Sequence, residues 1–214
     1  MKAQDYKNEI LYDAYFDIAK DAYHEKIRYF ESNLEAIMSL PFTESIKIEL
    51  DYALALNKVG AYAGFLRKAD RLIQAVVREN IFTFNGKDIY KELLFCKAQS
   101  YYRIYKYPEA NHVLEQLVKI EPTSLKYQKL YKNLQVDYAR HESQKVRGFS
   151  IALFLLAGIV IAFELLLVRS FYFNLLPAVV LLRNVALISG IFLVLINEWH
   201  IRRTADKNLN SLIS

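Results

Sequence analysis

Cysteine, glycine and proline are scarce in this chain of 214 residues, which contains one Cys, six Gly and four Pro. A single cysteine, Cys96, cannot form an intramolecular disulfide and is consistent with a reducing compartment. Glycine and proline are the residues that most often interrupt helices, and residues 1–40 contain neither. The composition therefore predicts an all-α fold.

Motifs that carry catalysis or bind cofactors are also lacking. The sequence contains no Walker loop and no GxGxxG, GxSxG or HExxH motif. No two histidines have metal-ligand spacing with a carboxylate or with Cys96; the four are His24, His112, His141 and His200. We therefore expect no catalytic residue, no cofactor and no metal, and the sequence predicts a protein that is not an enzyme. The net charge of +5 comes from interleaved basic and acidic residues, which predicts no nucleic-acid partner.

Two long apolar runs occupy the C-terminal third of the chain, at residues 149–168 and 175–197. Each has the roughly 20 residues that a helix needs to cross a hydrocarbon core of about 30 Å. The connector at 169–174 is too short to hold a domain. The sequence therefore predicts a two-span membrane hairpin that contacts the lipid bilayer, preceded by a helical domain at 1–147 and followed by a basic tail at 198–214.

The distribution of basic residues predicts the orientation of this hairpin. The first residues have no apolar core of the kind found in signal peptides, so we expect the helical domain to stay in the cytoplasm. Basic residues precede the first span and follow the second, which places both termini in the cytoplasm; these are Lys145, Arg147, Arg202, Arg203 and Lys207. Two spans favour a bacterial inner membrane over a tail-anchored organelle protein, which usually has one span.

Apolar residues at helical spacing predict the elements of the helical domain. The expected helices are 5–40 (one helix, or two with a break near 21–24), 44–60, 65–80, 88–105, 108–120 and 125–147. Pro41 and Pro122 end two of them, and Ser124 is positioned to cap the last. The dipeptide Asn85-Gly86 predicts a turn. Since only Gly148 separates the last helix from the first span, the two are candidates for one continuous helix.

Residues 91–122 carry large, small and aromatic side chains at defined spacings over two predicted helices: Leu94, Ala98, Tyr101, Ala110, Leu114, Leu117 and Pro122. This pattern resembles the tetratricopeptide repeat (TPR) family. Lys97 departs from it, because the family usually has an apolar residue there. The preceding helical pair fits only loosely, with an offset of 41 from Ala69 to Ala110 where a regular array has about 34.

The resemblance implies a stack of helical hairpins with a peptide-binding or scaffolding surface. By the geometry of the family, five residues would face the groove that binds a protein partner: Glu92, Phe95, Gln99, Tyr102 and Arg103. The alternative is that these are ordinary packed or solvated residues. The tyrosine-rich stretch at 101–107 has the same two interpretations, a recognition surface or helix packing.

Ionisable residues are expensive in lipid, yet Glu164 lies in the first apolar run and Arg183 in the second. If the hairpin folds about its connector, residues with a constant index sum face each other. Glu164 with Arg183 gives the same sum as Ala157 with Gly190, and Ala186 extends the small-residue stripe. The sequence therefore predicts an ion pair and a close helix contact, unless Arg183 reaches outward to the interface.

A second face of small residues, Gly158 and Ala162, points away from the Glu164 stripe. It is a candidate contact for another helix, including a second copy of the chain. The sequence favours a membrane-anchored adaptor or scaffold. The alternatives are a membrane effector whose hairpins oligomerise and permeabilise the bilayer, and an accessory subunit of a larger membrane complex. In these alternatives, Glu164 and Arg183 form an oligomer contact, an ion path or a partner-helix contact.

Overall fold

The computed structural model describes residues 2–84, 86–168 and 176–213, and the fold is predominantly helical, as predicted. The chain separates into two compact units, Met1–Tyr131 and Lys132–Ser214. The first unit contains α1 (Lys2–Phe16), α2 (Tyr23–Ser32), α3 (Leu34–Met38), α4 (Phe42–Lys58), α5 (Tyr62–Arg78), β1 (Thr83–Phe84), β2 (Lys87–Asp88), α6 (Ile89–Arg103), α7 (Tyr107–Ile120) and the start of α8 (Leu125–Glu142).

Helices α4 to α7 pack in chain order, each against the next. The reason is visible in α5, where Phe65, Ala69, Leu72 and Val76 are buried at spacings of three or four residues. This spacing places all four on one face of the helix. Burial of that face against the neighbouring helices forms the core of the first unit, which α1 and α2 extend.

The N-terminal segment breaks more often than its composition predicts. One break covers residues 17–22, close to the break considered near 21–24, and another lies at Asn33. The Asn33 side-chain amide donates to the Tyr29 carbonyl oxygen at 2.9 Å, a local bond that competes with helix continuation. Lys26 is buried beside Asp51, with 2.8 Å between Nζ and Oδ2, and this ion pair joins α2 to α4.

A short antiparallel hairpin, β1 with β2, stands between α5 and α6. It contains the turn predicted from Asn85-Gly86; Gly86 has a φ of +72°, whereas Asn85 lies outside the described residues. Asp88 ends the hairpin and caps α6, since its carboxylate accepts the Lys91 backbone N–H at 3.1 Å. The β1–β2 hairpin lies between Ala69 and Ala110 and contributes to the offset of 41 residues, which is longer than the roughly 34 of a regular TPR array.

The second unit contains the remainder of α8, α9 (Gln144–Phe163), a π-helical turn (Glu164–Val168) and α10 (Leu176–Ile213). Helices α9 and α10 pack along each other. The helix predicted for 125–147 is interrupted at Ser143, whose hydroxyl donates to the Arg140 carbonyl oxygen at 3.3 Å. The predicted connector at 169–174 lies outside the described residues.

Two helical segments of this unit, Gly148–Leu166 and Leu176–Ile213, are long and apolar enough to cross a membrane. Each contains a window with mean hydropathy 2.5, and most of each window is exposed in the single chain. Exposed apolar surface of this extent is typical of lipid-facing helices. The helix that contains the second apolar run does not end near residue 197 but continues to Ile213, through most of the predicted tail.

Candidate functional site

The α6 surface predicted to bind a partner is partly covered by the first turn of α8. Lys126 Nζ lies 3.2 Å from Glu92 Oε2 and 3.7 Å from the centroid of the Phe95 ring. The Phe95 ring also contacts Tyr127, at 5.7 Å between centroids. Glu92 and Phe95 are therefore half-buried by contacts within the chain, and their outer edges alone remain for a partner.

The other three predicted groove residues lie toward the C-terminal end of α6. Gln99 and Tyr102 are half-buried, whereas Arg103 is exposed. The Tyr102 ring lies 6.2 Å from that of Tyr107, and Tyr107 packs edge-on against Tyr105 at 6.1 Å. This end of α6 thus presents an arginine beside a tyrosine cluster, a combination enriched at recognition surfaces.

The residues that carry the TPR resemblance are structural in this fold. Ala98, Ala110, Leu114 and Leu117 are fully buried, in the contact between α6 and α7. Tyr101, which belongs to the same pattern, is only half-buried.

Lys97 replaces the apolar residue of the TPR pattern with a polar contact. Its Nζ lies 2.5 Å from Asp70 Oδ1, so that an ion pair links α5 and α6 where the family usually has apolar packing.

A buried polar contact that the sequence reasoning missed joins α4 to α6. The Asn57 side-chain amide donates to Ser100 Oγ at 2.9 Å and to the Cys96 carbonyl oxygen at 3.2 Å. Asn57 is 6% exposed and Ser100 is 0% exposed, so both polar groups depend on this contact. The only signal in the sequence is an asparagine among the good helix formers of α4.

In the second unit, the structure brings together the two ionisable residues of the apolar runs. Arg183 Nη1 lies 2.8 Å from Glu164 Oε2. The Glu164 side chain is 1% exposed and that of Arg183 is 26% exposed. Arg183 Nε also donates to Asn184 Oδ1 at 3.1 Å. The Arg183 cation and the Glu164 carboxylate are thus paired within one chain, the arrangement that lipid favours.

Small residues allow close approach of α9 and α10 beside this pair. Ala157 and Ala186 are buried, and a Cβ added to Gly190 would lie 3.2 Å from the Phe154 ring. The other small-residue face differs, because no atom of the described residues lies within 4 Å of a Cβ added to Gly158, and Ala162 is exposed. The Gly158 face is therefore open in the single chain.

A polar cluster ties α8 to the extension of α10. Arg140 reaches Glu198 with both Nε and Nη2, at 3.3 and 2.5 Å, and Arg202 Nε binds the same carboxylate at 2.9 Å. Farther along, Lys132 Nζ lies 2.8 Å from Asp206 Oδ1. Sequence reasoning missed these contacts because the partners are 58 and 74 positions apart, too far for a helical-spacing signal.

Cys96 is the one cysteine of the chain, and it is buried. Burial raises the pKa of the Cys96 thiol to about 12, which removes the thiolate that a nucleophile needs. Among residues 2–84, 86–168 and 176–213, no cluster of His, Cys, Asp and Glu has the geometry to hold a metal ion.

Comparison with known proteins supplies no relative from which a function could be transferred. No protein-family model matches the chain, and no curated protein or solved structure matches it.

Proposed function

We propose that this protein is a membrane-anchored helical-repeat adaptor that holds a protein partner at the cytoplasmic face of a bacterial inner membrane. In this proposal, the TPR-like helices of the first unit bind the partner and the apolar helices of the second unit span the bilayer. No enzymatic step is required of either unit.

The observation that carries the proposal is the ion pair between Glu164 and Arg183. A hairpin that oligomerises through its charges, or conducts ions along them, needs polar groups that reach outside the single chain. Here the Glu164 carboxylate is buried against Arg183 of the same chain, at 2.8 Å. A hairpin with its charges paired internally is suited to passive anchoring.

One observation favours the effector alternative. The open face at Gly158 and Ala162 has the spacing of four that allows two helices to approach closely in lipid. A second hairpin seated there would start an assembly. The same face serves an accessory subunit equally well if the neighbouring helix belongs to another protein.

Exchange of the anchor tests the proposal. In the exchange variant, an unrelated two-span hairpin replaces residues 149–197 and both flanks stay intact. An adaptor keeps its phenotype and recovers the same crosslinked proteins at matched abundance. Residues 1–147 without a hairpin should bind those proteins but leave them in the soluble fraction. Loss of the phenotype in a well-inserted exchange variant would contradict the adaptor.

A further inference from the structure

A cleft of about 380 Å³ opens in the first unit, where α4 residues and the β1–β2 hairpin both contribute to its lining. Its lining includes three apolar residues, Leu54, Ala55 and Ile89. Phe16, at the end of α1, and Phe84, in β1, also line it. This volume is within the range of small binding pockets. The connection between α1 and α2 and the β-hairpin, neither of which belongs to a regular helical repeat, contribute to its walls.

Basic residues line the same cleft. Lys20, Lys58 and Lys87, which we call the lysine rim, come from the α1–α2 connection, the end of α4 and β2, and all three are exposed. The lining also contains Lys26 and two carboxylates, those of Asp51 and Glu92, so that four positive charges face two negative ones.

The two carboxylates already have cationic partners. Asp51 is paired with Lys26 at 2.8 Å, and it also accepts the Tyr15 hydroxyl at 3.2 Å. Glu92 is paired with Lys126 at 3.2 Å and lies 3.9 Å from Lys87.

The lysine rim therefore carries an excess of positive charge. Among the described residues, neither Lys20 nor Lys58 has a carboxylate within 4.0 Å. Positive charges gathered around a cleft attract an anionic ligand and raise its local concentration.

The form of the cleft indicates which anion fits. Phosphate is usually held by a converging set of donors, often an arginine fork or free N–H groups at a helix N-terminus. The lining contains no arginine, and the N-terminus of α6 is already capped by the Asp88 carboxylate. Lysines from three separate elements, in a lining that also contains Leu54, Ala55 and Ile89, instead match carboxylates that flank an apolar side chain.

We infer that this cleft binds an acidic peptide segment of the protein partner, with carboxylates on the lysine rim and an apolar side chain between them over Leu54 and Ile89. The inference rests on the proposed adaptor function and assigns its docking site. It places that site beside α4 and the β1–β2 hairpin, at the opposite end of α6 from the exposed Arg103.

Peptide titration of the full chain tests this inference. The chain is held in nanodiscs of zwitterionic phosphatidylcholine, and binding is followed by the fluorescence anisotropy of a labelled Glu-Asp-Leu-Glu-Asp peptide. The amide peptide Gln-Asn-Leu-Gln-Asn is the control ligand. The test variant is Lys20→Glu with Lys58→Glu and Lys87→Glu, and a Lys→Gln triple at the same positions serves if the first fails to fold.

A matched control variant makes the same charge change elsewhere. Its substitutions are Lys47→Glu, Lys119→Glu and Lys129→Glu, at exposed lysines that do not line the cleft. The acidic peptide should bind the unchanged chain and the control, and binding to the rim variant should weaken by about tenfold or more, since close charge pairs contribute strongly to association. The amide peptide should not bind any of them.

Three results would overturn the inference: no binding of the acidic peptide at low salt, equal weakening in both triples, or displacement by millimolar inorganic phosphate at constant ionic strength. The last would identify a general oxyanion site.

Anchor exchange separates this failure from failure of the adaptor. A chain that passes anchor exchange but fails the peptide titration is an adaptor with another docking surface, whereas loss of the phenotype on exchange rejects the adaptor whatever the peptide does.

Discussion

Asn57 and Ser100 share a buried hydrogen bond of 2.9 Å that connects α4 to α6 across the first unit. A buried amide left without its partner costs about 1–3 kcal/mol. We therefore expect Asn57→Ala to lower the free energy of unfolding of residues 1–147 by that amount in urea titrations. Gln116→Ala removes an exposed local contact with His112 on α7 and is the control, with an expected loss below about 0.5 kcal/mol. If the control variant lost as much free energy of unfolding as Asn57→Ala, the buried hydrogen bond of Asn57 would not be a stabilising contact.

Leu114 tests the packing of α6 against α7. Its side chain is 0% exposed, so Leu114→Ala should destabilise residues 1–147 by about 2–5 kcal/mol. Leu125 is 78% exposed, and Leu125→Ala should stay within about 0.5 kcal/mol of the unchanged fragment. Tyr101→Ala should fall between the two, because Tyr101 is half-buried. If Leu114→Ala costs no more free energy of unfolding than Leu125→Ala, Leu114 is not in the core.

Cys96 should be unreactive toward iodoacetamide at pH 8 in the folded protein and should react at the rate of a free cysteine in urea. Burial raises its pKa to about 12, so the thiolate is scarce until the chain unfolds. Because the pKa is raised in the folded chain, the free energy of unfolding should fall as the pH rises above the pKa of a free thiol. The neutral thiol contributes stability below about pH 9, and that contribution is lost as the pH rises toward 12.

The control for this prediction is Cys96→Ala, which should remove the thiol's part of the alkaline loss of stability. Rapid alkylation of the folded chain would contradict the buried position of the thiol.

The pair in the apolar helices should show strong coupling. Arg183→Leu removes the Arg183 cation that lies 2.8 Å from the buried Glu164 carboxylate, and Glu164→Leu removes the carboxylate from Arg183. Each change should lower the thermal stability of the full chain in micelles. The double change should recover most of the loss, because leucine is favourable in lipid. The expected coupling is about 0.5–3 kcal/mol, the range for residues in contact.

Leu165→Ala with Leu182→Ala is the matched cycle for this pair, since both leucines are exposed and neighbour the charged residues. Their effects should add. Additive effects of Glu164 and Arg183 in the same experiment would show that the two do not interact in the folded chain.

The sequence was most informative where composition or periodicity acts over a short range. The helical fold and two long apolar helices follow from scarce glycine and proline and from the runs at 149–168 and 175–197. Folding two helices about a short connector also leads to Glu164 and Arg183, which lie in contact. The TPR-like arrangement and the orientation in the membrane stay predictions.

Features set by side chains distant in sequence were not predictable. The contacts of Asn57 with Ser100 and of Arg140 with Glu198 join residues 43 and 58 positions apart, and no periodicity connects them. The break at Ser143 occurs without glycine or proline, because a side-chain hydroxyl bonds back to the preceding turn. The covering of Phe95 by Lys126 likewise depends on where α8 begins.

The central claim is that the hairpin anchors the chain and does nothing more. The most direct measurement is the phenotype of Glu164→Leu with Arg183→Leu in the native host, at matched abundance and insertion, with dye uptake recorded for both proteins. We predict a retained phenotype and no dye uptake from either protein. Loss of the phenotype in the well-inserted double variant, or dye uptake that depends on the charged pair, would contradict the account.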